Sequence, residues 1–164
     1  MAAADLNNIR ADIEAHLLAG FGAEIAAEDR NIITSQSGLI IVTESPEAAA
    51  TPIAFRNISF RPPNNSTWLQ CEVSFTASSY LSLGGTTESD NDLSGLVVVD
   101  VFSPKGIGAA SNLLLADRAY NLFNRVKFDG IYFGSSNGPD IVAANPEAYF
   151  QSKISVNFSF IEQL

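Results

Sequence analysis

The sequence feature that most constrains the fold is the stretch Leu93–Phe133, which reads as a strand, a turn, a helix and a second strand. Leu93–Phe102 is almost entirely apolar, so we expect a central strand that is buried on both faces of a sheet. Ala109–Val126 carries apolar residues at helical spacing, with Ser111 or Asn112 as its candidate N-cap. We therefore expect the rest of the chain to fold around a helix packed on a sheet.

The flanking segments predict another helix and several strands. Asp5–Leu18 has apolar residues three and four apart, and Gly20 and Gly22 are expected to end that helix. Ala77–Asp92 and Ser135–Pro146 are expected to be polar loops. The remaining strands are predicted at Ile32–Thr34, Leu39–Thr43, Pro52–Phe60, Thr67–Phe75, Ile131–Phe133 and Ser152–Ile161.

The length of 164 residues is enough for one domain with a proper core. We therefore expect a single domain over residues 1–164 of the α+β class, with a mainly antiparallel or mixed β-sheet and two helices packed on one face. The net charge of −9 makes nucleic-acid binding a poor prediction, because phosphate contacts need clustered Lys and Arg. The longest apolar run, Leu96–Val99, is far short of the ~20 residues that span a bilayer. With no signal-peptide pattern at the N-terminus, we expect a soluble protein made in the cytoplasm.

Candidate catalytic and metal sites fail on residue type or spacing. Cys71 lies on the apolar side of its strand, which favours a structural role over a nucleophile paired with His16. Asp90–Gly95 matches the start of a calcium loop, but the twelfth position is Val101 instead of a bidentate glutamate, so at most a weak cation site is expected there. In Ser103–Gly108 the lysine precedes the glycines, unlike a Walker loop. We therefore expect no enzyme activity, no cofactor and no metal centre.

Four sets of residues occur in an order typical of a known family. They are Phe60–Pro63 with Trp68 and Leu69, Gly95 with Val99–Gly108, Ala116 and Asp117 with Phe123, and the closing alternating strand. In this order and spacing they resemble the tail terminator (tail completion) proteins of long-tailed bacteriophages, over roughly Ile53–Ile161.

The resemblance implies a non-enzymatic structural protein of the virion tail or neck, assembled in the host cytoplasm. Copies would form a ring, expected to be a hexamer, that caps the tail tube, terminates elongation and forms the head-joining surface. The implied partners are other copies, the tail tube protein, a head–tail connector or neck protein, and a sheath protein if the tail is contractile. DNA would only pass through the lumen, and no membrane is involved. Two alternatives stay open: a head–tail connector or neck protein of the same virion, and an unrelated small acidic binding domain or enzyme.

The resemblance also directs attention to particular side chains. Leu114, the one apolar residue on the polar side of the second helix, is expected to face a neighbouring subunit with Arg118 and Arg125 near it, although a lone exposed leucine is ordinary. Asp100, the one charge in the apolar strand, is either an interface carboxylate or hydrogen-bonded to the Lys105–Gly108 turn. Three acidic residues are expected to line the lumen or the tube-facing rim: Glu88, Asp90 and Asp92.

Overall fold

The computed structural model describes residues 5–22, 31–34, 40–43, 51–56, 58–62, 66–80, 90–106, 109–142 and 149–163. These ranges contain two helices and eight strands. In chain order the elements are α1 (Leu6–Gly22), β1 (Asn31–Thr34), β2 (Ile40–Thr43), β3 (Ile53–Phe55), β4 (Trp68–Tyr80), β5 (Asp90–Pro104), α2 (Ala110–Phe123), β6 (Lys127–Phe128), β7 (Ile131–Ile141) and β8 (Tyr149–Gln163).

The strands form one sheet in the order β1-β2-β3-β4-β5-β8-β7-β6. Neighbouring strands are antiparallel, except that β3 runs parallel to β4. The longest ladder joins β5 to β8 and runs from the pair Asp90 and Gln163 to the pair Pro104 and Tyr149. The predicted α+β class, with a mainly antiparallel sheet and two helices on one face, is confirmed.

The hydrophobic core lies between the helices and one face of the sheet. We call this the covered face, and on β5 it carries Val97, Val99 and Val101, each at most 1% exposed. The opposite side, which on β5 carries Leu96, Val98 and Asp100, is called the open face. The helices contribute these buried side chains to the core: Ile9, Ile13, Leu17 and Phe21 from α1, and Ala116, Ala119 and Phe123 from α2.

The prediction that Leu93–Phe102 is buried on both faces is wrong for the open face. Along β5 buried residues alternate with half-buried ones, and Leu96, Val98 and Phe102 belong to the half-buried set. The physical reason is that both described helices pack on the covered face, so one helix layer buries only every second residue of the strand.

The two predicted polar loops turn out to contain strand. β4 continues to Tyr80 and β5 begins at Asp90, which leaves residues 81–89 of the predicted Ala77–Asp92 loop outside the described part. β7 continues to Ile141 through most of the Ser135–Pro146 segment. In both places pairing with a long neighbouring strand outweighs the weak strand propensity of Ser, Gly and Asn.

The N-terminal half departs from prediction in two further places. The Pro52–Phe60 strand is reduced to β3, because the chain turns at Arg56. The strands predicted at Ile32–Thr34 and Leu39–Thr43 are confirmed as β1 and β2, which pair with each other, while residues 35–39 between them lie outside the described residues.

The prediction that α1 ends at the glycines is confirmed for Gly22, whereas the predicted end of α2 is wrong. Gly20 does not end α1, which continues to Gly22; instead, a Cβ at Gly20 would lie 2.5 Å from a methyl carbon of Leu122, so the missing side chain lets α1 approach α2. α2 ends at Phe123 instead of Val126, because Arg125 adopts a positive φ of 58° that a right-handed helix does not allow.

Candidate functional site

A buried amide fixes α2 on the sheet. The side chain of Asn112 is fully buried, and its Nδ2 donates to the carbonyl oxygen of Val101 at 2.9 Å and to Oγ of Ser103 at 3.2 Å. The same Nδ2 lies 3.3 Å from the carbonyl oxygen of Phe150, and Oδ1 accepts from the hydroxyl of Ser152. Because these partners belong to β5 and β8, the start of α2 is held by hydrogen bonds to two strands at once.

The sequence predicts Ser111 or Asn112 as the N-cap of α2, and this prediction is wrong. The N-cap position is Ala109, and it makes no side-chain capping hydrogen bond. Asn112 was missed as a functional position because its partners Ser103 and Ser152 lie 9 and 40 residues away in the chain. A weak signal does exist, since a serine stands on the buried side of each of the two strands.

The C-terminal end of α2 is locked to β7. Oδ1 of Asn124 accepts from the backbone N–H of Ser136 at 3.1 Å, and the Ser136 hydroxyl donates to the carbonyl oxygen of Tyr120. The backbone N–H of Arg125 donates to the carbonyl oxygen of Gly134 at 2.9 Å. With both ends held, α2 presents its outer surface in a fixed orientation.

The outer surface of α2 carries an exposed apolar pair, which we call the α2 knob: Leu113, 38% exposed, and Leu114, 71% exposed. The two arginines predicted to accompany Leu114 make contacts within the chain. Arg118 lies over the ring of Phe21, with 5.2 Å between its Cζ and the ring centroid, and Nε of Arg125 donates to Oγ of Ser135. Leu114 is thus an interface candidate whose side chain the fold leaves largely exposed.

Asp100 lies in the middle of the open face, not at a strand end. It stands between Gln70 of β4 and Lys153 of β8, and its Oδ1 accepts from Nε2 of Gln151 at 3.0 Å. The carboxylate is thus hydrogen-bonded to the neighbouring strand, while residues 107 and 108 of the turn predicted as its partner lie outside the described residues. The interface role of Asp100 stays a prediction.

The acidic residues predicted to line a lumen belong to this same face. Asp90 and Asp92 are part of β5 and share the side of the strand on which Asp100 lies, because residues two apart in a strand point the same way. Glu88 lies outside the described residues. The sequence places these carboxylates in a loop, whereas the structure places two of them at one end of the open face.

A groove opens where α1, the chain after β3 and strand β4 meet, and we call it the β4 groove. It has a volume of about 380 Å³ and is lined by Arg10, Glu14, Arg56, Ile58 and Val73. Arg10 forms a 2.8 Å salt bridge to Glu14, and Arg56 pairs with Glu72. Burial raises the pKa of the Glu14 carboxyl, an effect that the neighbouring Arg10 guanidinium partly opposes. Sequence reasoning missed this groove because three distant segments build it.

His16 and Cys71, the candidate reactive side chains, are packed within the fold. His16 stacks on Phe128 at 4.0 Å between centroids, and its Nε2 lies 3.2 Å from the carbonyl oxygen of Leu122. Burial, together with the nearby carboxylates of Glu14, Glu72 and Asp100, raises the pKa of the Cys71 thiol to about 12, so the reactive thiolate is suppressed. Within the described ranges, no three His, Cys, Asp or Glu residues are grouped to hold a metal, and neither helix is long and apolar enough to cross a membrane.

One of the three comparisons with known proteins identifies a family, and another shows a shared fold. A family model described as Phage tail terminator protein matches residues 41–128, which include β3, β4, β5, α2 and β6. The alignment with one of the matching solved structures covers 95% of this chain and 95% of the other. Its TM-score of 0.60 at 20% sequence identity shows a shared fold. A search of the curated proteins gives no match.

Proposed function

Because this chain belongs to the phage tail terminator protein family, we propose that its copies assemble into a ring that caps the tail tube, ends tail elongation and forms the surface to which the head joins. Family membership makes the protein a structural component of the phage tail. The ring, its expected six copies and its contacts with the tube, neck and sheath proteins are the further steps of the proposal.

The single observation that carries the proposal is the family match over residues 41–128. This segment contains the β5–α2 unit, whose helix is anchored by Asn112 and presents the α2 knob. An exposed apolar pair on a rigid helix is suited to a contact between subunits, since little conformational entropy is lost when a fixed surface binds.

The charge of the chain is compatible with a lumen through which DNA passes. At a net charge of −9 per copy, a ring would carry a strong negative potential, and like charge keeps DNA from binding to the wall. We propose that Glu88, Asp90 and Asp92 contribute to the lumen or to the rim that faces the tube. Asp100, on the same face as Asp90 and Asp92, is proposed as an interface carboxylate.

The proposal is tested by measuring the mass of the purified chain in solution and imaging it by negative stain. We expect rings. Binding is then measured to isolated tail tubes and, separately, to DNA-filled heads that lack tails. A terminator binds tubes and stops their growth, whereas a head–tail connector of the same virion binds filled heads first. Rings that bind heads but not tubes would favour the connector, and a chain that forms no ring on its own or on tubes contradicts the proposal.

The lumen assignment is tested by reversing charge. In rings of Glu88→Lys/Asp92→Lys, we expect retention of double-stranded DNA that falls as salt is raised, because new phosphate contacts release counterions. Asp129→Lys, in the exposed β6–β7 turn, is the matched control and is expected to leave DNA unbound. Equal DNA retention by both variants would show that these carboxylates do not line the lumen.

A further inference from the structure

A ring needs two different surfaces on every copy. In a cyclic assembly of more than two subunits the contact is heterologous, so one patch of each copy meets a second, complementary patch of the next. The α2 knob supplies a projecting apolar patch, and the β4 groove supplies a recess on the same molecule. We infer that Leu114 of one copy inserts into the β4 groove of the next copy. This inference rests on the proposed ring.

The floor and the size of the groove suit an apolar side chain. Ile58 and Val73 line it, and both are partly buried hydrophobic residues packed against the core. A volume of about 380 Å³ exceeds the space that one leucine needs, so Leu113 at the knob's edge has room to follow Leu114. Burying these side chains removes apolar surface from water at both patches.

The charges around the groove suit a second acidic copy. Arg10 pairs with Glu14 within the lining, and Arg56 of the lining pairs with Glu72 of β4 outside it, so each arginine at the groove is balanced by a carboxylate in a chain of net charge −9. A balanced rim repels another acidic subunit less than the rest of the surface does. Asp117 is exposed one turn after Leu114, where it would meet the arginines of the rim.

The two patches cannot meet within one copy. The C-terminal turns of α1 contact α2, where Gly20 approaches Leu122 and Phe21 lies under Arg118, whereas its N-terminal turns line the groove. Roughly 10–15 Å of helix separates Gly20 from Arg10 and Glu14 at the helical rise per residue. Because α1 lies between the two patches, the knob can only be received by another copy.

The test uses the full chain and three variants, with mass in solution and negative stain as readouts. Leu114→Asp removes the knob, and Ile58→Arg fills the groove. Ile141→Asp is the matched control, because Ile141 is a 62% exposed apolar residue of β7 that belongs neither to the α2 knob nor to the lining of the β4 groove. Wild type and Ile141→Asp are expected to form rings, while Leu114→Asp and Ile58→Arg associate at least about tenfold more weakly.

Mixing the two defective variants separates this contact from others. Leu114→Asp copies keep an intact groove and Ile58→Arg copies keep an intact knob, so an equimolar mixture is expected to give heterodimers joined by one unaltered contact. Rings are expected from the mixture only as far as the second contact, between the two substituted positions, also forms. The chain carrying both substitutions is expected to regain part of its ring population, because the introduced carboxylate and the introduced guanidinium would then face each other across the contact. A circular dichroism spectrum and melting curve check that each variant folds; should Ile58→Arg not fold, Arg56→Glu at the 69% exposed rim takes its place.

Each outcome has a distinct meaning. Rings in both single variants, or a mixture that gives no heterodimer, overturn the knob-in-groove contact while leaving the ring itself standing. Rings that persist in Ile58→Arg with loss of tail-tube binding assign the groove to the tube protein and likewise overturn the inference. A wild-type chain that stays monomeric alone and on tail tubes overturns the proposed function as well.

Discussion

In the pair of strands β5 and β8, the covered face and the open face differ in the residues that β8 contributes to each. On the covered face, Ile154 and Val156 of β8 stand opposite Val99 and Val97 of β5. On the open face, Lys153, Ser155 and Asn157 stand opposite Asp100, Val98 and Leu96. From Leu96 to Val99 β5 is apolar on both sides, so this segment alone does not tell the faces apart, although Asp90, Asp92 and Asp100 all lie on the open side. The polarity of the paired strand does, because β8 alternates between polar and apolar residues from Lys153 to Phe160.

The sharpest way to break this comparison is to place a charge on the covered face. Phe158→Asp is expected to lower the free energy of unfolding by about 4 kcal/mol or more, because it buries a carboxylate at a 2% exposed position. The ring of Phe158 also packs on Gly95, where a Cβ would lie 2.3 Å from its Cζ, and edge-on against Phe75. The control is Asn157→Asp on the open face, and a Phe158→Asp melting temperature within about 2 °C of wild type would show that this strand is not core.

The next largest effect is expected at Asn112, a polar side chain that is buried on the covered face. Asn112→Ala is expected to cost about 2–3 kcal/mol, because Ser103 and Ser152 lose their buried partner. Asn121→Ala on the same helix is the matched control: its Nδ2 bonds only the carbonyl oxygen of Asp117 on the exposed side, and we expect a change under about 0.5 kcal/mol. Equal losses in chemical denaturation of the two variants would contradict the anchoring role.

A direct comparison of the faces uses two consecutive residues of β5. Val97→Ala removes methyl groups from a fully buried site and is expected to cost about 2 kcal/mol, whereas Val98→Ala on the half-buried open face is expected to cost less than about 1 kcal/mol. Denaturant unfolding of the isolated chain measures both. If Val98→Ala proves as costly as Val97→Ala, the open face is covered in the isolated chain, and the distinction drawn between the faces fails.

The effect that is smallest at neutral pH is a pH dependence from Cys71 on the covered face, which appears only above pH 9.0. Its pKa is about 12 in the folded chain against an ordinary 9.0, so above pH 9.0 the unfolded chain loses this proton first and binds fewer protons than the folded one. Stability from this group is therefore complete below pH 9.0 and falls by up to about 1.4 kcal/mol per pH unit until about pH 12. Cys71→Ala should show a shallower decline over this range in urea titrations, and parallel declines would refute the assignment.

How much of the molecule the sequence predicts follows from how local each signal is. The alternation of β8 and the apolar stripes of α2 are local sequence patterns. They therefore predict both elements, and the pattern of α2 also predicts that Leu114 is exposed. The extensions of β4 and β7 depend on ladder pairing with β5 and β8, and their Ser-rich composition hides them.

The candidate site also contains some features that local sequence patterns predict and others that they do not. Leu114 could be found from helical periodicity alone, since it interrupts a polar surface. The anchoring of α2 by Asn112 and the β4 groove require side chains from several elements to come together, and no local pattern reports such a meeting. Asp90 and Asp92 could be named as acidic, but their place on the face of Asp100 follows only from where β5 begins.

The position of Trp68 gives the open face its own optical signal. This residue, the one tryptophan of the chain, is stacked on Phe102 at 4.0 Å between ring centroids, with Phe60 and Tyr149 beside it. The residue is 8% exposed, and we expect its fluorescence emission to report the environment of this aromatic cluster. Titrating the protein with tail tubes while recording emission would therefore reveal whether the open face is the side that meets them.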